Sequence, residues 1–170
     1  VFYLSGNSLY RLDTEETSTV PTLLREHVET YDLSGNFLYY VSSENGLVYR
    51  FPAGEDRPQP TQVTFTPMEL SDTLSSTFVV YDEDRLALYE HGGKLFVFNR
   101  QAKQPVRELA SNVKGVQFSD DGKKLLYFTD NEISVSFTRD WEVQPTRKAE
   151  STVQVARFSN PIRNVQWTKD

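Results

Sequence analysis

The sequence predicts an all-β protein of short antiparallel strands. Three observations predict it. Apolar runs of four to six residues recur, and polar turns separate them. The aromatic content is 13%, with 9 Tyr and 11 Phe, and such residues suit a pleated, half-buried surface. The same order of strand and turn returns several times along the chain. Helical periodicity is poor, and its best candidate, Met68–Leu74, is short.

The turns carry most of this reading. Phe37–Val41 and Leu47–Phe51 flank a segment ending in Asn45-Gly46. An Asn-Gly pair between apolar runs is a strong hairpin signal, because both residues accept positive φ. Leu86–Tyr89 and Lys94–Phe98 flank His91-Gly92-Gly93, and Leu125–Thr129 and Ile133–Phe137 flank Asp130-Asn131. Val116–Phe118 and Leu125–Phe128 flank Asp120-Asp121-Gly122. Ser5-Gly6-Asn7 and Ser34-Gly35-Asn36 lie between two further pairs of runs.

A repeat underlies these turns. Tyr31, Tyr81, Phe118 and Trp167 are the aromatic anchors of segments that precede a polar turn, at spacings of 50, 37 and 49 residues. A unit of four short strands, a to d, with loops of variable length accounts for them. Expected strands are 28–33, 37–42, 47–51 and 61–66 in one unit, and 78–82, 86–90, 94–99 and 105–110 in the next. A further unit has 113–119, 124–129, 133–138 and 152–158. Residues 1–4, 8–12 and 20–25 make b, c and d of a first unit, and 161–168 reads as an a strand alone.

Four-stranded repeats of this length are the mark of β-propeller blades. Tyr39 and Val41 face opposite to Leu38 and Tyr40, and both sets are apolar. Radial stacking of sheets requires such strands. The blades are expected at 1–25 plus 161–168, 28–66, 78–110 and 113–159, in one domain. Either 161–168 closes the ring by joining strands 1–25, or the four blades belong to a larger ring.

Val116-Gln117-Phe118-Ser119-Asp120-Asp121-Gly122-Lys123-Lys124-Leu125-Leu126-Tyr127-Phe128 resembles the F-S-x-D-G-K-x-L-x-Y phrase of TolB-type, WD-repeat-like propellers. Asp32–Tyr40 is a looser copy, and Tyr81–Leu88 is looser again. The stretch from Val113 onward is also similar to propellers of bacterial envelope proteins that carry PEGA modules. The resemblance implies a propeller and a bacterial cell-envelope or extracellular setting, with a cytoplasmic one left open. The Trp-Asp dipeptide of true WD repeats is absent, so their scaffold functions do not carry over.

Composition narrows the chemistry. The chain has 170 residues, a net charge of -6 and no basic block, which argues against nucleic-acid binding through phosphates. It has no Cys, which excludes disulfides and thiolate chemistry. No apolar run reaches the ~18 residues of a membrane helix. The first residue is Val1, and the chain reads as a piece of a longer polypeptide.

Candidate sites lie in the loops. The d–a and b–c loops, which are expected to bind, are 26–27, 43–46, 66–77, 90–93 and 130–132. They hold both histidines, His27 and His91, and the longest of them carries Met68, Glu69 and Leu70. That loop is either a binding lip or a short cover over a blade edge. Trp141, in the long 138–151 loop, is either an exposed anchor or packed over the outer strands. Asp82-Glu83-Asp84 and Asp120-Asp121 sit at a–b turns, where Asp suits the backbone geometry; Thr14-Glu15-Glu16 reads as a solvated turn.

No phosphate loop, nucleophile elbow or zinc-binding helix motif is present. No catalytic residue, metal or cofactor is therefore expected. The expected function is a binding or scaffold module whose loops meet a protein, peptide or glycan, with dimers expected if the ring is open. The alternative is an accessory, gating propeller of a hydrolase whose catalytic domain lies elsewhere.

Overall fold

The computed structural model describes residues 1–14, 20–71 and 73–168. Glu15 and Glu16 of the first c–d loop lie outside the described residues. The chain divides into two compact units, Val1–Glu69 and Leu70–Asp170.

The first unit holds two sheets. β1 (Phe2–Ser5), β2 (Ser8–Arg11) and β3 (Thr22–Arg25) form a three-stranded sheet in that order. β4 (Val28–Ser34), β5 (Phe37–Ser42), β6 (Val48–Pro52) and β7 (Thr61–Gln62) form a four-stranded one. Every pairing is antiparallel and joins neighbours in sequence. Leu9, Leu24, Val28, Leu38, Tyr40 and Phe51 make the shared core. Tyr39 and Val41 are buried on the opposite face of β5. Tyr31, in the middle of β4, donates its hydroxyl to the Phe2 carbonyl at 2.7 Å.

The second unit repeats the plan. β8 (Ser76–Asp82), β9 (Arg85–Glu90), β10 (Gly93–Asn99) and β11 (Val106–Val113) form one sheet. β12 (Gly115–Phe118), β13 (Lys124–Phe128), β14 (Glu132–Phe137) and β15 (Thr152–Arg157) form the other. Ala87, Tyr89, Leu95, Val97, Val113, Leu125 and Tyr127 fill the space between them. The far side of the last sheet, with Leu126, Phe128, Val135 and Phe137, is covered by Trp141, Ile162, Val165 and Trp167. Burying a side chain such as Leu95 or Leu125 stabilises by about 1.5–3 kcal/mol, so the inner strands carry most of the stability.

The four sheets match the expected blades, with three differences. The first lies in the turn that ends in Asn45-Gly46, where one residue of the pair and not both takes a positive φ. Ser42 donates to the Leu47 carbonyl and Gly46 to the Ser42 carbonyl, both at 2.9 Å. Only Gly46 takes a positive φ, 67°; the Asn45 carboxamide instead accepts the Leu47 N–H at 3.0 Å.

The expected d strand 61–66 shrinks to Thr61–Gln62. Pro58 and Pro60 lie just before it and lack an N–H for ladder pairing. Thr64 then turns its side chain inward to bond the neighbouring strand, which ends the ladder.

Residues 161–168 form no strand. The sheet of β1, β2 and β3 has three strands among the described residues. Residues 161–168 run beside β12. The Trp167 indole donates to the Gln117 carbonyl at 3.2 Å, and the Trp167 N–H donates to the Gln117 side chain at 3.3 Å. No helix forms at Met68–Leu74 among the described residues, and none is long and apolar enough to cross a membrane.

Candidate binding surfaces

In the first unit, the turn after β5 is the hub of one end. His27, between β3 and β4, takes φ 59°, and its carbonyl accepts the Ser43 N–H of that turn at 2.9 Å. The His27 Nε2 lies 3.6 Å from the Glu44 carboxylate. Met68 donates its N–H to the Gly46 carbonyl at 2.9 Å. A Cβ on Gly46 would stand 2.8 Å from the Met68 carbonyl oxygen. Glycine is thus required twice over, by φ and by this close approach.

Met68 itself is 1% exposed. It is a core residue, which removes it from the candidate binding lip. Glu69 follows it at the surface, and Leu70, which opens the second unit, is half-buried.

The residue that sequence reasoning missed is Phe65. Thr64 is 0% exposed, and its hydroxyl oxygen accepts the Val48 N–H at 2.9 Å. The Gln62 side chain donates to the Thr64 carbonyl at 2.8 Å. Between the buried Thr64 and the buried Met68, the ring of Phe65 is 84% exposed. Reading 61–66 as a strand hid it. The nearest signal was the Thr64–Met68 run itself, where two threonines and a proline surround a lone aromatic.

In the second unit, His91 sits in the turn between β9 and β10. Its Nε2 lies 2.8 Å from the Thr77 hydroxyl, and its ring meets Tyr89 edge-on at 4.9 Å. The preceding Glu90 is 2% exposed. One carboxylate oxygen accepts the Ser71 N–H, and the other accepts the Lys94 N–H at 3.2 Å. A buried carboxylate without partners would be costly; here it ties the segment preceding β8 to the β9–β10 turn. Nearby, Lys114 lies 3.7 Å from Asp130.

Trp141 is at the other end of these sheets, in the loop from β14 to β15. The structure does not bring it together with His91, since b–c and c–d loops leave opposite ends of the strands. The Trp141 and Arg147 backbones bond reciprocally at 2.7 and 2.9 Å. Asp140 accepts the Ala149 N–H at 2.9 Å and the Lys148 ammonium at 2.8 Å. Those two bonds hold its carboxyl below the ordinary range.

The Trp141 ring is tilted against Phe137 at 6.5 Å, and the Lys124 ammonium lies 4.2 Å from its centroid. The indole is therefore half-buried over the outer strands. A cavity of about 270 Å³ is lined by Asp140, Trp141, Glu142, Thr146, Arg147 and Lys148. Val143, at the tip of the same loop, is 62% exposed.

The acidic a–b turns are occupied by their own backbones. Asp82 accepts the Asp84 N–H at 3.0 Å and pairs with Arg85, whose guanidinium also covers the Tyr81 ring at 4.3 Å. Burial pushes the Asp82 carboxyl up, yet the hydrogen bond and charge of Arg85, with backbone N–H groups, hold it below its ordinary value. Asp121 accepts the Ser119 hydroxyl at 2.7 Å and the Lys123 N–H at 3.0 Å. Among the described residues, no three His, Asp or Glu side chains stand together as a metal-binding group.

No family model matches the chain, and no curated protein does. Solved structures do match. The computationally designed Ika8 protein superposes with a TM-score of 0.56 at 11% identity, over 99% of this chain and 52% of that one. Kluyveromyces lactis Hsv2 matches with a TM-score of 0.52 at 12% identity, over 95% of this chain and 47% of that one. The N-terminal domain of Nup159 matches with a TM-score of 0.52 at 13% identity, over 94% and 41%. Hsv2 and Nup159 are β-propellers.

The chain has the β-propeller fold, in blades of antiparallel strands. It spans about half the length of the structures it matches.

Proposed function

We propose that this chain is a non-catalytic binding module whose propeller loops meet a protein or peptide partner. The observation that carries this reading is the way its loops are held. Buried Thr64 and Glu90 spend their side chains on backbone N–H groups of neighbouring segments. The residues beside them, Phe65 and His91, face outward. A loop already fixed in its bound shape loses little entropy on binding, and exposed aromatic side chains are the commonest anchors of interfaces. Val143, on its braced hairpin, adds an apolar tip of the same kind.

The resemblance of Val116–Phe128 to the TolB-type phrase supports a setting in the bacterial cell envelope and does not bear on the ligand. Propeller neighbours support binding in general and no particular ligand.

Selection of a displayed random-peptide library on the immobilised chain tests the reading. Enrichment of related peptides is expected, with binding lost on Phe65→Ala, His91→Ala or Val143→Ala while the far-UV spectrum is kept. No enrichment, or enriched peptides indifferent to all three substitutions, would count against it.

A further inference from the structure

We infer that Phe65, with Glu44 and Glu69, forms a docking surface for a basic protein segment, one that carries Lys or Arg beside an apolar contact. The inference rests on the binding-module reading and names the partner class for one surface.

The ring is displayed by construction of the loop. Thr64 is locked to Val48 and Met68 to Gly46, so the backbone on both sides of Phe65 is tied to β6 and its turn. Pro67 further restricts it. Thr64 and Met68 fill the core, and Phe65, in the exposed stretch between them, is left in solvent. Covering a phenyl ring is favourable, and here the ring's backbone needs no ordering to be covered.

Charge selects the occupant. Residues 1–69 carry ten Asp and Glu against four Arg and no Lys. Arg11 is engaged by Asp56 and by the Gly54 and Glu55 carbonyls, both at 3.2 Å. Arg50 lies over the Phe37 ring at 4.6 Å. Glu44, with the His27 Nε2 at 3.6 Å, stands in the turn that holds Met68, and Glu69 follows Met68 directly; both are exposed. Lys and Arg satisfy both elements, since they pair with carboxylates and lie over aromatic faces. A second copy would bring the same acidic turn to its own image, and like charges oppose that pairing.

The probe is a short labelled peptide alternating Lys and Leu, compared with its Glu–Leu counterpart. Anisotropy is read on the intact chain at low and high salt, with sizing of the unliganded chain. Saturable binding of the Lys peptide alone is expected. Phe65→Ala should weaken it about tenfold or more, and Phe65→Trp should keep it. Glu44→Gln with Glu69→Gln should weaken it severalfold and flatten the salt dependence.

The inference is overturned if the Lys peptide fails to bind, if the Glu peptide binds equally, or if Phe65→Ala changes nothing. A dimer that Phe65→Ala dissolves would also overturn it, by showing a second copy as the occupant. Peptides from the library that bind only through His91 or Val143 would overturn this surface and leave the binding-module reading standing.

Discussion

The Glu90 carboxylate, inside the second unit, accepts the backbone N–H of Ser71 from a segment 19 residues earlier in the chain. Its other oxygen takes the Lys94 N–H across the β9–β10 turn. One buried side chain therefore sets the course of residues leading into β8. Glu90→Ala should leave both donors without a partner. Both donors belong to exposed residues that water can reach, so each lost bond costs about 0.5–1.5 kcal/mol. A lower unfolding midpoint is expected, with faster amide exchange over residues 70–77. Unchanged exchange there would mean that the segment is held by other contacts.

Gly122, in the turn between β12 and β13, has φ +63°, and a Cβ there would lie 2.3 Å from the Tyr81 ring. The ring is pinned from two sides, by its hydroxyl bond to the Asp120 carbonyl at 3.1 Å and by the Arg85 guanidinium. Gly122→Ala should destabilise by about 1–3 kcal/mol through overpacking. Pairing it with Tyr81→Ala should recover part of that loss, since the space is then vacated. Equal losses with and without Tyr81 would show that backbone strain alone sets the cost.

The depressed Asp82 carboxyl makes stability depend on pH. Its folded value lies below the ordinary 3.8, so the unfolded chain takes up the proton first as pH falls. The Asp82 contribution is complete above that ordinary value and is lost as pH drops through the folded one. Asp82→Asn should lower the urea midpoint at about pH 7 and lessen the further drop on going to about pH 3. A parallel fall in both proteins would assign the acid sensitivity to other carboxylates.

Lys124 sits between the two tryptophans, 4.2 Å from the Trp141 centroid and 5.3 Å from that of Trp167. Trp167→Ala removes one of these contacts and the indole bond to Gln117. Residues 161–168 are expected to detach, with fast amide exchange from Ile162 to Trp167, at a cost of about 1 kcal/mol for the hydrogen bond plus the lost packing. Lys124→Met should shift the emission of both indoles. Slow exchange kept in Trp167→Ala would show that Ile162 and Val165 suffice to hold the segment.

Strands were legible because their causes are local. Alternation in Phe37–Ser42 and the turn residues around Gly35, Gly92 and Gly122 act over a few positions, and the strands form where those signals stand. The loop surfaces were not. Met68 and Phe65 are both apolar residues of one segment, and nothing local says which is buried. The core space under the Gly46 turn takes the Met68 side chain, and the Thr64 bond to Val48 turns Phe65 outward. Trp141 and His91 were both candidate binding residues, yet c–d and b–c loops leave a sheet at opposite ends.

By itself, the sequence determined the strand pattern, the repeat and the β-propeller architecture, since apolar period and turn chemistry are properties of neighbouring residues. It also determined the acidity of the first 69 residues. The tertiary structure decided which side chains those loops display. It buried Met68 and Glu90, exposed Phe65, folded the Trp141 loop over Phe137 and laid residues 161–168 along β12. Each of these outcomes depends on a partner distant in sequence, through a hydrogen bond or a core contact that only the folded chain supplies.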